Sequence, residues 1–267
     1  MGTPEPSTVA HARLDQQIQA LETRLAREQR RVPASVIHDR VRQERARFAN
    51  ARVLTFVPIL VERAVRAGIR SGAESLPGWA ERTARELLAT ELPRRWAHTQ
   101  GVARAATRIA HLVAPAESDT LIAAAWLHDI GYASPVNVTG FHPLDGARYL
   151  HDRGVDPRVC ALVAHHAGAA AVAELLGLSH ELARFPDERG PVRDALWYCD
   201  MTTSPTGEPV SFTDRMAEIE ARRGPDDPVV RALAVNRPER AAAVRRTQRR
   251  IDLATSLGPR MARMSAA

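Results

Sequence analysis

Apolar residues recur along this chain at spacings of three and four, and no stretch keeps a two-residue alternation for long. That pattern predicts an all-α protein. Near the start, Leu14, Ile18, Leu21 and Leu25 form a heptad-like seam on a helix over about residues 8–30. Pro33 suits the first turn of a second helix over 33–49, whose apolar side is Val36, Ile37, Val41 and Phe48. A third helix, Val53 to Ile69, is apolar over much of its surface, and Pro58 either starts it or kinks it. Three helices of this length bury little surface alone. They predict a small bundle over 10–70 that pairs with a second copy of itself. Arg70 to Gly78 has turn composition and reads as a linker, after which residues 79–257 form a second, larger helical domain.

In that larger part, Pro93 opens a helix with His98, Val102, Ala105, Ile109 and Leu112 on one stripe, so His98 sits on the buried side. The next helix organises the chain. It runs Leu121-Ile-Ala-Ala-Ala-Trp-Leu straight into His128-Asp129, with Ser118 as N-cap and Gly131 as the stop. The apolar run carries both polar side chains inward, and a buried carboxylate must be paired, hydrogen-bonded or bound to a metal. His142 stands at the mouth of a helix opened by Pro143, and a helix from Pro157 ends at His165-His166-Ala-Gly168. The spacing from Val159 and Leu162 places His166 on its buried side. Pro191 begins a helix through Leu196, Trp197 and Cys199 to Asp200, and Phe212–Arg222, Asp227–Val235 and Arg237–Leu257 read as closing helices.

Composition narrows the function classes. The 267 residues include 37 basic ones, all arginine, so chemistry that needs a lysine is excluded. The net charge of +6 is uneven: the two ends are basic and the middle, 73–231, is acidic. The basic ends are interleaved with helix-period apolar residues rather than aromatics, which reads as solvated helix faces and not as a nucleic-acid surface. No apolar run is long enough to span a bilayer, and the first residues lack the basic-then-apolar pattern of a signal peptide. Cys160 and Cys199 are too far apart for a disulfide scaffold or zinc knuckle and read as buried thiols of a cytoplasmic protein.

His98, His128, Asp129, His142, one of His165 and His166, and Asp200 all fall at helix interiors or ends with apolar flanks. Four imidazoles and two carboxylates suit a pair of divalent transition-metal ions, with iron or manganese ahead of zinc, cobalt or nickel. Two such ions can clamp phosphate oxygens and supply a deprotonated water as nucleophile. No glycine-rich phosphate loop, Gly-x-Ser-x-Gly elbow or Cys-x-x-Cys competes with this set.

The sequence Arg95-Trp-Ala-His98, then Leu127-His128-Asp129-Ile-Gly, then Leu196-Trp-Tyr-Cys-Asp200 resembles the HD superfamily of metal-dependent phosphohydrolases over roughly residues 80–220. The extra elements His142-Pro-Leu-Asp-Gly-Ala147 and His165-His-Ala-Gly168 are similar to its di-metal branch that hydrolyses diadenosine tetraphosphate. The resemblance implies one metal on His98, His128, Asp129 and Asp200, and a second shared through Asp129 with His142 and His165. The register from Gly168 selects His165, against the periodicity. Asp129 and His128 would be the catalytic pair, and the substrate a small nucleotide-like molecule. Departures fall at Tyr132, where several branches carry lysine or histidine, and at Thr202-Thr-Ser-Pro after the last aspartate. A di-iron oxygenase with the same ligand set and a non-catalytic regulatory or nucleic-acid-binding module are the alternatives. Residues 14–70, ending in Ala51 to Arg63, resemble a small three-helix-bundle dimerisation domain.

Overall fold

The computed structural model describes residues 6–264 apart from 30, 31, 33, 50, 52 and 71–74. The expected role of Pro33 and residues 71–74 of the expected linker therefore lie outside the described residues, and Leu76, Pro77 and Gly78 of that stretch are not linker but the first turn of the next helix. The described chain is helical throughout, and among the described residues no strand forms beyond an isolated bridge between Thr203 and Pro209. It divides into two compact units.

In the N-terminal unit, α1 (Pro6–Glu28), α2 (Ala34–Ala46) and α3 (Val57–Arg70) pack on one another. The Leu14, Ile18, Leu21 and Leu25 seam is buried against Val36, Ile37 and Val41 of α2 and Val57, Val61 and Val65 of α3. Pro58 is the second residue of α3, where its missing N–H has no helical partner to lose, so it starts the helix rather than kinking it. Only one stripe of α3 is used inside the unit. Phe56, Ile59 and Leu60 remain exposed on the other side.

The second unit holds α4 (Leu76–Leu88), α5 (Pro93–Val113), α6 (Ser118–Leu127), α7 (His142–His151), α8 (Pro157–Ala164), α9 (Ala169–Leu175), α10 (Ser179–Leu182), α11 (Pro191–Met201), α12 (Phe212–Arg223) and α13 (Pro228–Met264). Its core is the contact of α5, α6 and α11, where Val102, Ala106, Leu121, Ala125 and Leu196 interlock. The alanines let these three helices approach closely, and so bring the residues at their ends together.

Two sequence expectations are corrected here. Ser118 does not cap α6: it is the first helical residue, and its hydroxyl donates to the carbonyls of Ala114 and Pro115. The two closing helices expected on either side of Asn236 are one, with Pro238 inside α13. By contrast α12 carries a true cap, Ser211 Oγ accepting from Asp214 N at 3.0 Å. The basic face of α13 is also partly paired, since Arg246 clasps Asp194 with two bonds of 2.7 Å.

Leu127, the last residue of α6, is fully buried immediately before the His128-Asp129 pair. Truncating it to alanine should cost about 2–5 kcal/mol of stability, read from a denaturant titration. An unchanged midpoint would mean that this helix end is not packed as described.

Candidate functional site

The ends of α5, α6, α7, α8 and α11 converge on six side chains. They form two groups of three whose candidate ligand atoms lie within 4.8 Å of one another: His98, His128 and Asp200, and Asp129, His142 and His166. Asp129 stands between the groups. Its Oδ2 faces His128 Nε2 at 3.3 Å and His98 Nε2 at 3.9 Å. Its Oδ1 faces His142 Nε2 at 3.3 Å and His166 Nε2 at 3.9 Å.

The backbone fixes which nitrogen of each ring looks inward. Nδ1 of His98, His128 and His166 lies at hydrogen-bond distance from the carbonyls of Ser204 (2.9 Å), Ala125 (2.8 Å) and Val163 (2.6 Å). Each Nδ1–H can donate there, which leaves Nε2 as a lone pair aimed at the centre. This is how protein carbonyls orient histidine ligands of a metal. The consequence inside is a shortage of donors. His98 Nε2 lies 3.0 Å from Asp200 Oδ1, His142 and His166 oppose each other through their Nε2 atoms at 3.1 Å, and the buried Nε2 of His128 has no hydrogen-bond partner. Converging lone pairs and buried carboxylate oxygens are an arrangement that bound cations would satisfy. The donor set fits divalent first-row ions.

Burial is the largest influence on His128, Asp129, His142, His166 and Asp200. It pulls His142 well below the ordinary imidazole range and His166 down to about 4. His128 is instead held above its usual value, because Asp129 and Asp200 outweigh burial. Burial would raise both carboxyls, but Arg95 and His128 hold Asp129 well below the carboxylate range, and His98 and His128 do the same for Asp200. Both acids and two of the imidazoles are thus in the form that binds metal, and His128 is the ring at which a proton competes with a cation.

The structure corrects the choice between the adjacent histidines. His166, not His165, joins the group. Helix α8 ends at Ala164, and a 3-10 turn over His166–Gly168 follows, with Ala167 at φ 50° and Gly168 at φ 70°. That reversal directs His165 away, its Nε2 on the Phe185 carbonyl at 2.6 Å, while its own carbonyl accepts from Trp197 Nε1 at 2.9 Å. The role expected of Gly131 is corrected as well. It adopts no left-handed conformation, and a Cβ there would lie 2.0 Å from the His142 carbonyl oxygen. Gly131 is the point where the His-Asp turn touches the start of α7, which brings His142 within reach of Asp129.

Several residues around the set are assigned no role by the sequence. Arg95 donates to Asp129 Oδ2 at 2.8 Å, and its guanidinium lies 4.1 Å from the centre of the Tyr132 ring. Tyr132 stacks on His142 with ring centres 3.9 Å apart and accepts at its hydroxyl from Arg223. A cavity of about 290 Å3 opens onto Asp129, His142, His166 and Asp200. Its other walls include Arg215, Arg223 and Arg240, together with the apolar Phe141, Val172 and Ile219.

The stretch that carries these six side chains also matches a known family. Residues 95–204 match the HD domain family model. HD domains are in general metal-dependent phosphohydrolases, and the match holds both His/Asp groups while ending before α12 and α13. No curated protein and no solved structure matches the chain.

Proposed function

We propose that the protein is a metal-dependent phosphohydrolase that cleaves a phosphoester or phosphoanhydride of a nucleotide-like molecule. The observation that carries this reading is the pair of three-residue groups with Asp129 between them, one carboxylate oxygen facing each group. Asp129 is suited to bridging two ions, with His98, His128 and Asp200 completing one site and His142 and His166 the other. A bound pair of divalent ions would supply Lewis acidity and a source of hydroxide at neutral pH. The chain's part is positional. Ala125, Val163 and Ser204 carbonyls hold three rings in the ligating tautomer, Arg95 fixes the Asp129 carboxylate, and Tyr132 braces the His142 ring.

Elemental analysis of the purified protein beside a screen of phosphate release from nucleotides tests the reading. Two ions per chain and metal-dependent phosphate release are expected. Oxygen-dependent turnover with a mixed-valence iron signal and no phosphate release would replace it with an oxygenase. Arg95 acts on the site through Asp129, so Arg95→Gln should lower metal affinity or activity by about 10–100-fold, as loss of an outer partner usually does.

The N-terminal unit supports a separate proposal, self-association through the exposed Phe56, Ile59 and Leu60 of its third helix and the turn before it. Light scattering should show a dimer for the full chain and a monomer for Ile59→Glu combined with Leu60→Glu. A monomeric full chain removes the unit from that role.

A further inference from the structure

The wall of the cavity formed by α12 and α13 carries a charge that the metal ligands do not explain. Arg240 is 2% exposed, yet among the described residues its Nε has no hydrogen-bond partner and its Nη1 has only the weakly accepting Met201 sulfur at 3.7 Å. Arg215, beside it on the cavity wall, is 5% exposed and also has an unpartnered Nε. One of its Nη atoms donates to Glu218 at 2.5 Å, and the other lies 3.9 Å from Asp200 Oδ1. Arginine does not shed its proton in a protein, and a buried charge without a counter-ion is destabilising. Asn236 and Arg240 of the same α13 turn both lie close against Gly168, where a Cβ would sit 2.6 Å from Asn236 Nδ2 and 3.0 Å from Arg240 Nε. Arg215 shares Glu218 with Arg222, and Arg223 donates to Asp227, whereas among the described residues no carboxylate is bonded to Arg240.

We infer that Arg240 and Arg215 form the receptor for the phosphoryl group of the substrate, beside the metal groups and outside the part of the chain that matches the HD family. The inference rests on the hydrolase reading and deepens it by naming the class of substrate. Two guanidinium groups with free N–H donors are built for a tetrahedral oxyanion, which takes several charge-assisted hydrogen bonds at once. The organic part of the substrate would lie along Phe141, Val172 and Ile219 on the same cavity. At about 290 Å3, the cavity is at the small end of the roughly 300–1,000 Å3 range for ligand pockets. That volume has room for a phosphomonoester the size of a single nucleotide. Burial also pushes the Arg240 guanidinium down to about 10, with the neighbouring Arg215 adding to it and Asp200 opposing it. An anion here would relieve that penalty.

The test uses the full-length protein as purified and inorganic phosphate as the probe, with affinity from calorimetry and metal content measured on the same samples. Arg240→Met should weaken phosphate binding about tenfold or more, as expected for losing hydrogen bonds to a charged group, with metal content unchanged. Its melting temperature without phosphate should stay level or rise, because the substitution removes an uncompensated buried charge; a structural arginine would show a drop. Arg240→Lys should fall between, keeping the charge and losing the fork. Should Arg240→Met fail to fold, Arg215→Gln carries the same expectation. Phosphate affinity within twofold of wild type in the folded variants would overturn the inference, even if the protein hydrolyses nucleotides. Weakened phosphate binding in a protein that releases no phosphate from any nucleotide would leave the anion site standing and remove the hydrolase reading instead.

Discussion

Replacing Asp129 with alanine is expected to remove both metal ions and with them all hydrolysis above background. The Asp129 carboxylate faces both three-residue groups, one oxygen toward His128 and His98 and the other toward His142 and His166. Outer partners of a metal ligand typically contribute 10–100-fold, so losing the bridging ligand itself should exceed that. The substitution also strands Arg95, whose guanidinium is held above its ordinary value by Asp129 against the opposing effect of burial. Removing one partner of such a pair is usually costly in stability, so the comparison needs a folded protein. Asp129→Asn, which keeps shape and one acceptor, should remain folded and still lose the metals. His142→Ala, which touches one group only, should lose about one equivalent. Elemental analysis reads all three, and an Asp129→Ala protein that retains two ions would sink the bridging role.

Most of the site was legible in the sequence because its residues stand at helix ends after apolar runs. The run Leu121 to Leu127 ahead of His128-Asp129, the stripe carrying His98 and the run into Asp200 all follow helical periodicity, and all three helices meet in the core. What could not be read depends on where a helix stops and how the next turn rotates. Two left-handed residues in succession, Ala167 and Gly168, redirect the chain after α8, and alanine carries no sign of that conformation. Gly131 could be recognised as structurally special but not for its actual reason, a close approach to the His142 carbonyl from a distant segment. The arginines were hidden by abundance. With 37 in the chain, nothing local separates the buried, unpartnered Arg240 from those on solvated faces, and only the packing of α13 on α9 and α11 makes the distinction. Reading α13 as two helices divided its residues at the very turn that carries Asn236 and Arg240.

The second large effect concerns His165 and His166, where helical periodicity and family resemblance point to different residues. Their side chains have separate duties in the structure, so the two alanine variants should fail in different ways. His166→Ala should lose about one equivalent of metal and most activity, since its Nε2 faces His142 and Asp129 while Val163 holds its Nδ1. In stability, relief of the opposed Nε2 atoms of His142 and His166 works against the loss of the donor to the Val163 carbonyl, so metal content is the readout that identifies this variant. His165→Ala should keep both ions. It deprives the Phe185 carbonyl of its donor, and leaving a buried acceptor unsatisfied costs about 1–3 kcal/mol. Its expected defect is therefore a lower denaturation midpoint with activity retained per folded molecule. Metal content and denaturant midpoint measured together separate the two. A folded His165→Ala protein that has lost an ion, beside a His166→Ala protein that keeps both, would restore the register implied by resemblance and require the turn at Ala167 and Gly168 to run the other way.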